Sequence, residues 1–181
     1  MNVLRRVLLA AAAVALVVIA AVGFSLWRSV PPLGGRETLP GLSADVTVLW
    51  DSLAIPHITA SSDADAVMAL GYLHARDRLW GMELLRRAAE GRLSEVLGPA
   101  TIETDRYLRS LDIPHAADAA LALPAAETRA LIDAYVRGIN RWIEAPTRPL
   151  PPEFRILRFR PEPWTARQAL ELGRLEAWDL T

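Results

Sequence analysis

Nucleophilic catalysis needs a hydroxyl, thiolate or amine held beside a base. This sequence has no cysteine, and its 20 Lys-plus-Arg positions are all arginine. That excludes a thiolate nucleophile, a Schiff-base lysine, a disulfide, a zinc–cysteine site and a P-loop lysine. The serines are Ser25, Ser29, Ser43, Ser52, Ser61, Ser62, Ser94 and Ser110, and none stands in G-x-S-x-G or S-x-x-K. The histidines His57, His74 and His115 lack the spacing of a helical metal face. His57 and His74 read as buried or half-buried imidazoles bonded to backbone. The carboxylate pairs Asp63/Asp65 and Glu103/Asp105 stand at expected helix starts, where capping and the helix dipole account for them. A denser charge set comprises Arg76, Asp77, Arg78, Glu83, Arg86, Arg87, Glu90 and Arg92, with Trp80 and Met82 interleaved. Glu83 and Arg87 form an i,i+4 pair in the favourable order. The set reads as an ion network that docks a second segment. No catalytic residue and no metal-ligand set is expected in this chain.

These side chains need elements to position them. Val7 to Trp27 is uncharged after a basic start at Arg5-Arg6, and about 21 residues is enough to span a bilayer as a helix. Residues 1–28 read as a signal anchor or a signal peptide, length favouring the anchor. The basic flank stays cytoplasmic, which puts the rest outside the cytoplasm. Residues 29–41, rich in Pro and Gly, are a linker. Residues 42–181 are the folded part. Val46 to Trp50 and Ile58 to Ala60 read as a short antiparallel strand pair across an Asp51–Pro56 turn. A helix is expected over 63–87, capped by Ser61 or Ser62, with a break near Asp77 or Gly81. A further turn over 93–97 stops at Gly98-Pro99. A short helix begins near Thr104, and Ile113-Pro114 breaks it before helix 116–123. The next helix begins beyond Pro124, runs to Glu144 and faces inward with Ala130, Leu131, Ala134, Tyr135, Ile139 and Trp142. Residues 147–152 read as loop. Thr165 caps a last helix that has no stop signal at Thr181, as a fragment would. A net charge of −1 gives no electrostatic case for nucleic acid.

One stretch is specific. From Ile55 to Gly98 the chain carries Pro56-His57-Ile58, then Gly71-Tyr72-Leu73-His74-Ala75-Arg76-Asp77-Arg78-Leu79-Trp80-Gly81-Met82-Glu83, then Arg86-Arg87 onward through Gly91-Arg92-Leu93-Ser94-Glu95. This resembles the N-terminal part of the penicillin acylase (penicillin amidase) family. The likeness continues through Trp164-Thr165, Gly173 and Ala177-Trp178-Asp179-Leu180, where the family has a helix over its active site. The resemblance therefore marks Glu176, Ala177, Asp179 and Leu180 as substrate-pocket candidates. Glu176 is a departure, because many relatives carry Met or another apolar residue there. Ala54 replaces a usual glycine, which denies easy positive φ, and Gly81 replaces a usual glutamine, loosening its helix.

The resemblance implies an α+β chain, the mostly helical α segment of an N-terminal-nucleophile hydrolase αββα sandwich with a few N-terminal strands. It implies a precursor cut autocatalytically, whose β segment carries an N-terminal Ser nucleophile with its own α-amine as base. That β segment would be the partner. It would supply most of the oxyanion hole and a structural calcium, with no cofactor held by this chain. The implied reaction is hydrolysis of linear amides, either β-lactam acyl side chains or acyl-homoserine lactones. The implied place is the periplasm, anchored to the inner membrane through residues 7–27. The chain alone is expected to be inactive. The alternative is a non-catalytic, membrane-anchored helical interaction protein from a truncated gene.

Overall fold

The computed structural model describes residues 3–123, 125–146 and 149–180. Pro124, the first two residues of the 147–152 loop and the terminal Thr181 lie outside the described residues. Helix α1 (Val3–Ser29) is followed by strands β1 (Thr47–Trp50) and β2 (Pro56–Thr59). Then come α2 (Asp63–Ala89), α3 (Ser94–Leu97), a 3-10 turn (Pro99–Thr101), α4 (Ile102–Ser110) and α5 (Ile113–Leu121). The chain continues with α6 (Ala126–Glu144), α7 (Pro152–Ile156) and α8 (Ala166–Asp179). The class is α+β, dominated by helix.

The strands form an antiparallel hairpin in the register Thr47↔Thr59, Val48↔Ile58, Leu49↔His57 and Trp50↔Pro56. Asp51 closes it. Its Oδ1 accepts from the Leu53 N–H at 2.8 Å and the Ile55 N–H at 2.9 Å, an Asx-turn in place of a glycine turn. Ala54 nevertheless takes φ +59°, so the turn adopts the left-handed conformation that the alanine was expected to resist. His57 is not buried. Its imidazole is 65% exposed and meets Asp51 at 3.3 Å, because strand alternation turns it away from α2.

Ser62 caps α2 by accepting from the Asp65 N–H. Asp65 does not cap its own helix. It accepts from the Ser43 N–H at 2.9 Å and from the Ser43 hydroxyl at 2.5 Å, pinning the segment before β1. Asp105 likewise reaches across, accepting from the Leu93 and Ser94 N–H groups at 2.8 Å each, where the first donors of α3 would otherwise be orphaned. The first-turn acids thus serve neighbouring segments, a long-range use that spacing does not reveal. Helix α2 bends without ending: Arg78 has φ −136° and ψ 17°. Helix α5 starts at Ile113 rather than after Pro114. The chain reverses at Asp112, φ +50°, and proline fits the first turn, where no N–H is needed.

The main core joins α2 (Tyr72, Ala75, Leu79, Met82) to α6 (Val136, Ile139, Trp142), closed by Phe154 of α7 and by Trp164. On α6 the expected Ala134, Ile139 and Trp142 are buried, Ala130 is exposed, and the buried face widens to take in Val136 and Gly138. The reason is a backbone-to-backbone crossing. A Cβ on Gly71 would lie 2.1 Å from the Tyr135 carbonyl oxygen, and one on Gly138 would lie 2.0 Å from that of Met68. Helix α7 occupies part of the expected loop, with prolines serving its first turn.

Candidate functional site

Helix α8 is placed on α2 by polar groups more than by apolar ones. Asn140 of α6 clasps the turn before it: its Nδ2 donates to the Trp164 carbonyl at 2.9 Å, and its Oδ1 accepts from the Trp164 N–H at 2.7 Å. Thr165 and Gln168 then form a capping box. Gln168 also donates from Nε2 to Glu90 Oε1 at 2.9 Å. Beneath lies the expected charge network, docking the chain's own C-terminal third instead of a separate segment. Glu83 is wholly buried between Arg86 (2.5 Å) and Arg87 (2.7 Å). Arg86 donates to the Glu162 carbonyl at 3.2 Å and stacks on Trp164. Arg87 reaches Glu95 at 2.6 Å and stacks on Phe159. Burial pushes the Glu83 carboxyl above its usual range, and the two guanidiniums oppose that shift.

Glu171 of α8 is also wholly buried. Arg167 approaches it at 3.2 Å without hydrogen-bond alignment, so both carboxylate oxygens lack a hydrogen-bond partner. Burial, then the neighbouring Glu90, push its pKa up to about 7. The trio Glu90, Asp118 and Glu171 does not fit a cation, because Arg167 is threaded among all three at 3.2–3.9 Å. Among the described residues no group of three His, Asp or Glu side chains is arranged to hold a metal ion.

Between α2, α6, α8 and the end of α1 runs a groove of about 960 Å3. His74, Trp80, Tyr135, Leu172, Gly173 and Glu176 are among its walls. The Tyr135 hydroxyl and His74 Nδ1 are hydrogen-bonded at 2.8 Å, with the rings edge to face. Burial, then the charge of Arg78, hold the His74 pKa below its ordinary value, so the imidazole is neutral at pH 7. Burial, then Glu176, raise that of Tyr135. The groove therefore combines an apolar floor with an imidazole–phenol pair, the Glu176 carboxylate on the α8 side, and Arg76, Asp77, Arg78 and Glu153 elsewhere along its walls. Such a site orients a ligand with an apolar body and a polar end. It holds no nucleophile–base pair. Ser29 on its rim donates to the Leu26 carbonyl at 2.7 Å.

Of the pocket candidates, Glu176 lines the groove; Ala177, Asp179 and Leu180 are exposed outside its lining, Leu180 at 87%. His74 and Tyr135 were not candidates. The available signal was a tyrosine hydroxyl on an otherwise apolar α6 face.

The fold is that of the mostly helical α-chain portion of an N-terminal-nucleophile hydrolase. Residues 45–181 match the model of the penicillin amidase family, and the chain belongs to that family. It is 44% identical over 150 residues to penicillin acylase 2 proenzyme from Pseudomonas sp. (strain SE83), covering 83% of this chain and 19% of that protein. It is 35% identical over 136 residues to the acyl-homoserine lactone acylase QuiP from Pseudomonas aeruginosa, covering 75% of this chain and 16% of the relative. The chain thus spans less than a fifth of the length of these curated relatives. A solved thermostable penicillin G acylase from Alcaligenes faecalis superposes with a TM-score of 0.67 at 29% identity, over 75% of this chain and 73% of that one.

Proposed function

We propose that this chain forms the substrate-side wall of an amidohydrolase that cleaves linear amides, and that a further segment of the protein or of a partner brings the nucleophile. The observation that carries the reading is the clasped position of α8, which holds Glu176 over an apolar groove beside His74 and Tyr135. The similarity to proteins named penicillin acylase and acyl-homoserine lactone acylase supports the acyl-amide class. One of these relatives is named a proenzyme, which fits a nucleophile released by precursor cleavage. In this reading the exposed Ala177, Asp179 and Leu180 complete the acyl pocket once the β segment covers them. The exposed apolar helix α1, the described helix long enough to cross a membrane, anchors the chain with its folded part in the periplasm.

The test is complementation. The full chain is co-expressed with the part of the Pseudomonas sp. SE83 proenzyme that lies beyond the matched region. Hydrolysis of phenylacetyl and long-acyl anilides is then measured. Activity is expected only from the pair. In it, Glu176→Met shifts preference towards longer apolar acyl groups, since it removes a carboxylate from beside the buried hydrocarbon. Turnover by this chain alone would overturn the division of labour. Unchanged chain-length preference in Glu176→Met would place that side chain outside the acyl pocket.

A further inference from the structure

We propose that the segment from Arg155 at the end of α7 to Arg160 is a membrane-surface contact that takes the phosphate headgroups of anionic lipids. The proposal rests on the reading of α1 as a retained anchor.

The first observation is depth. Arg6 to Ser25 spans about 29 Å of helix, close to the ~30 Å of a bilayer's hydrocarbon core. With Arg5-Arg6 at one interface, Phe24, Trp27 and Arg28 fall at the other, the aromatic and basic pattern of an interfacial belt. The second is attachment. The Arg155 guanidinium donates to the Ser25 hydroxyl, so α7 is held against α1 at that level. The third is composition. Arg155, Arg158 and Arg160 are exposed, and none has a carboxylate partner among the described residues. Between them Ile156 is 74% exposed. Of the nearby acids, Glu153 keeps its Oε2 buried, and the exposed Glu162 carboxylate forms no ion pair with the three arginines among the described residues. Guanidiniums flanking an exposed isoleucine match a surface of phosphates over acyl chains, where apolar burial and charge attraction add. Arg158 keeps φ +57°. Glycine would take that conformation at lower cost, so removing this charge need not damage the fold.

A second consequence is positional. Leu26 and Ser29 of α1, and Val30 just after it, also line the groove. The arginine contact would therefore hold the groove mouth beside the bilayer, where amides with long acyl chains partition.

The absence of cysteine makes the test clean. The full chain bearing Ile156→Cys is labelled with an environment-sensitive fluorophore and reconstituted into vesicles. One set is zwitterionic, the other contains phosphatidylglycerol, and both carry the same lipid-borne quencher. A label at exposed Leu123 reports general adhesion. Quenching at Ile156 is expected in the anionic vesicles alone, exceeding that at Leu123. Arg158→Gly should lower occupancy of the surface-bound state by about fivefold, and loss of a second arginine by about fivefold again. Quenching no greater than at Leu123, or equal in zwitterionic vesicles, overturns the proposal. So does competition by millimolar inorganic phosphate at constant ionic strength, which would make the arginines a free-phosphate site. Chain that fails to float with vesicles overturns the anchor as well; chain that floats with an unquenched label overturns the arginine contact and leaves the anchor standing.

Discussion

Helix α2 meets its two principal neighbours in opposite ways. Against α6 it uses contact of backbone on backbone at Gly71 and Gly138, surrounded by Tyr72, Ile139 and Trp142. Its seam with α8 and the turn before it is built from Glu83 and Arg86 of α2, the C-cap Glu90, and Glu171 of α8, all nearly or wholly buried. The first seam leaves no room for an extra atom at its two glycines, and its His74–Tyr135 pair lies where the seam opens into the groove. The second is held by charges, one of them without a hydrogen-bond partner. The difference separates two jobs: α6 fixes the scaffold, while α8 carries the groove wall on a seam that responds to protonation.

Breaking the steric seam should have the largest effect. In Gly138→Ala the new methyl would lie 2.0 Å from the Met68 carbonyl oxygen, and no flexible side chain can yield. A loss of about 4 kcal/mol or more is expected, despite the roughly 1 kcal/mol that alanine adds in a helix. Gly81→Ala, with open space around its Cβ, is the contrast and should be neutral or stabilising. Denaturant melts of the full chain, read by the fluorescence of buried Trp142, decide it. Similar midpoints for the two variants would remove the steric account.

Cutting the charged seam comes next. Glu83→Ala leaves Arg86, 1% exposed, without its carboxylate, while Arg87 keeps Glu95. A buried charge stripped of its partner costs about 3–4 kcal/mol. The damage should localise: amide exchange in α8 and the 159–164 turn should accelerate before that in α6. Uniform acceleration would mean that the two seams are one cooperative unit.

The helices were legible in the sequence because α2 and α6 bury apolar residues at helical spacing and α8 opens on its Thr165 cap, and the groove wall because the family likeness marks Glu176. What escaped was anything set by contact between distant elements. Periodicity could place Asp65 and Asp105 in first turns but could not show that Ser43 and Leu93 would arrive to use them. It could not show that Glu171 faces Glu90 and Arg167 instead of water. Helix α7 was hidden because a helix as short as Pro152–Ile156 leaves no period, and its prolines read as loop.

Glu171 gives the comparison its pH dependence. Its folded pKa of about 7 lies above the ordinary 4.5. The protonated acid fits the buried site, so its contribution is fully present below pH 4.5. It is lost as pH rises through 7, by on the order of 3 kcal/mol. Glu171→Gln should flatten that slope and be the more stable form at pH 8, by about 1–2 kcal/mol, since Arg167 retains Glu90 and Asp118. Melts at pH 5 and pH 8 measure it. An unchanged slope would mean that water reaches the carboxylate.

The smallest expected effect lies outside both seams and tests whether they are separate from the hairpin. Ala54 holds φ +59° only because Asp51 accepts the Leu53 and Ile55 N–H groups and Ala54 N donates to the Asp51 carbonyl at 3.0 Å. A left-handed alanine costs roughly 1–2 kcal/mol, part of which glycine returns to the unfolded chain as entropy. Ala54→Gly should therefore stabilise by about 0.5 kcal/mol. If the hairpin is energetically independent, that increment persists unchanged in the Glu83→Ala and Glu171→Gln backgrounds, as for sites that share no partners. An increment that vanishes when the charged seam is cut would show that the hairpin is ordered only while α8 is docked, because β2 rests on the α2 surface that both share.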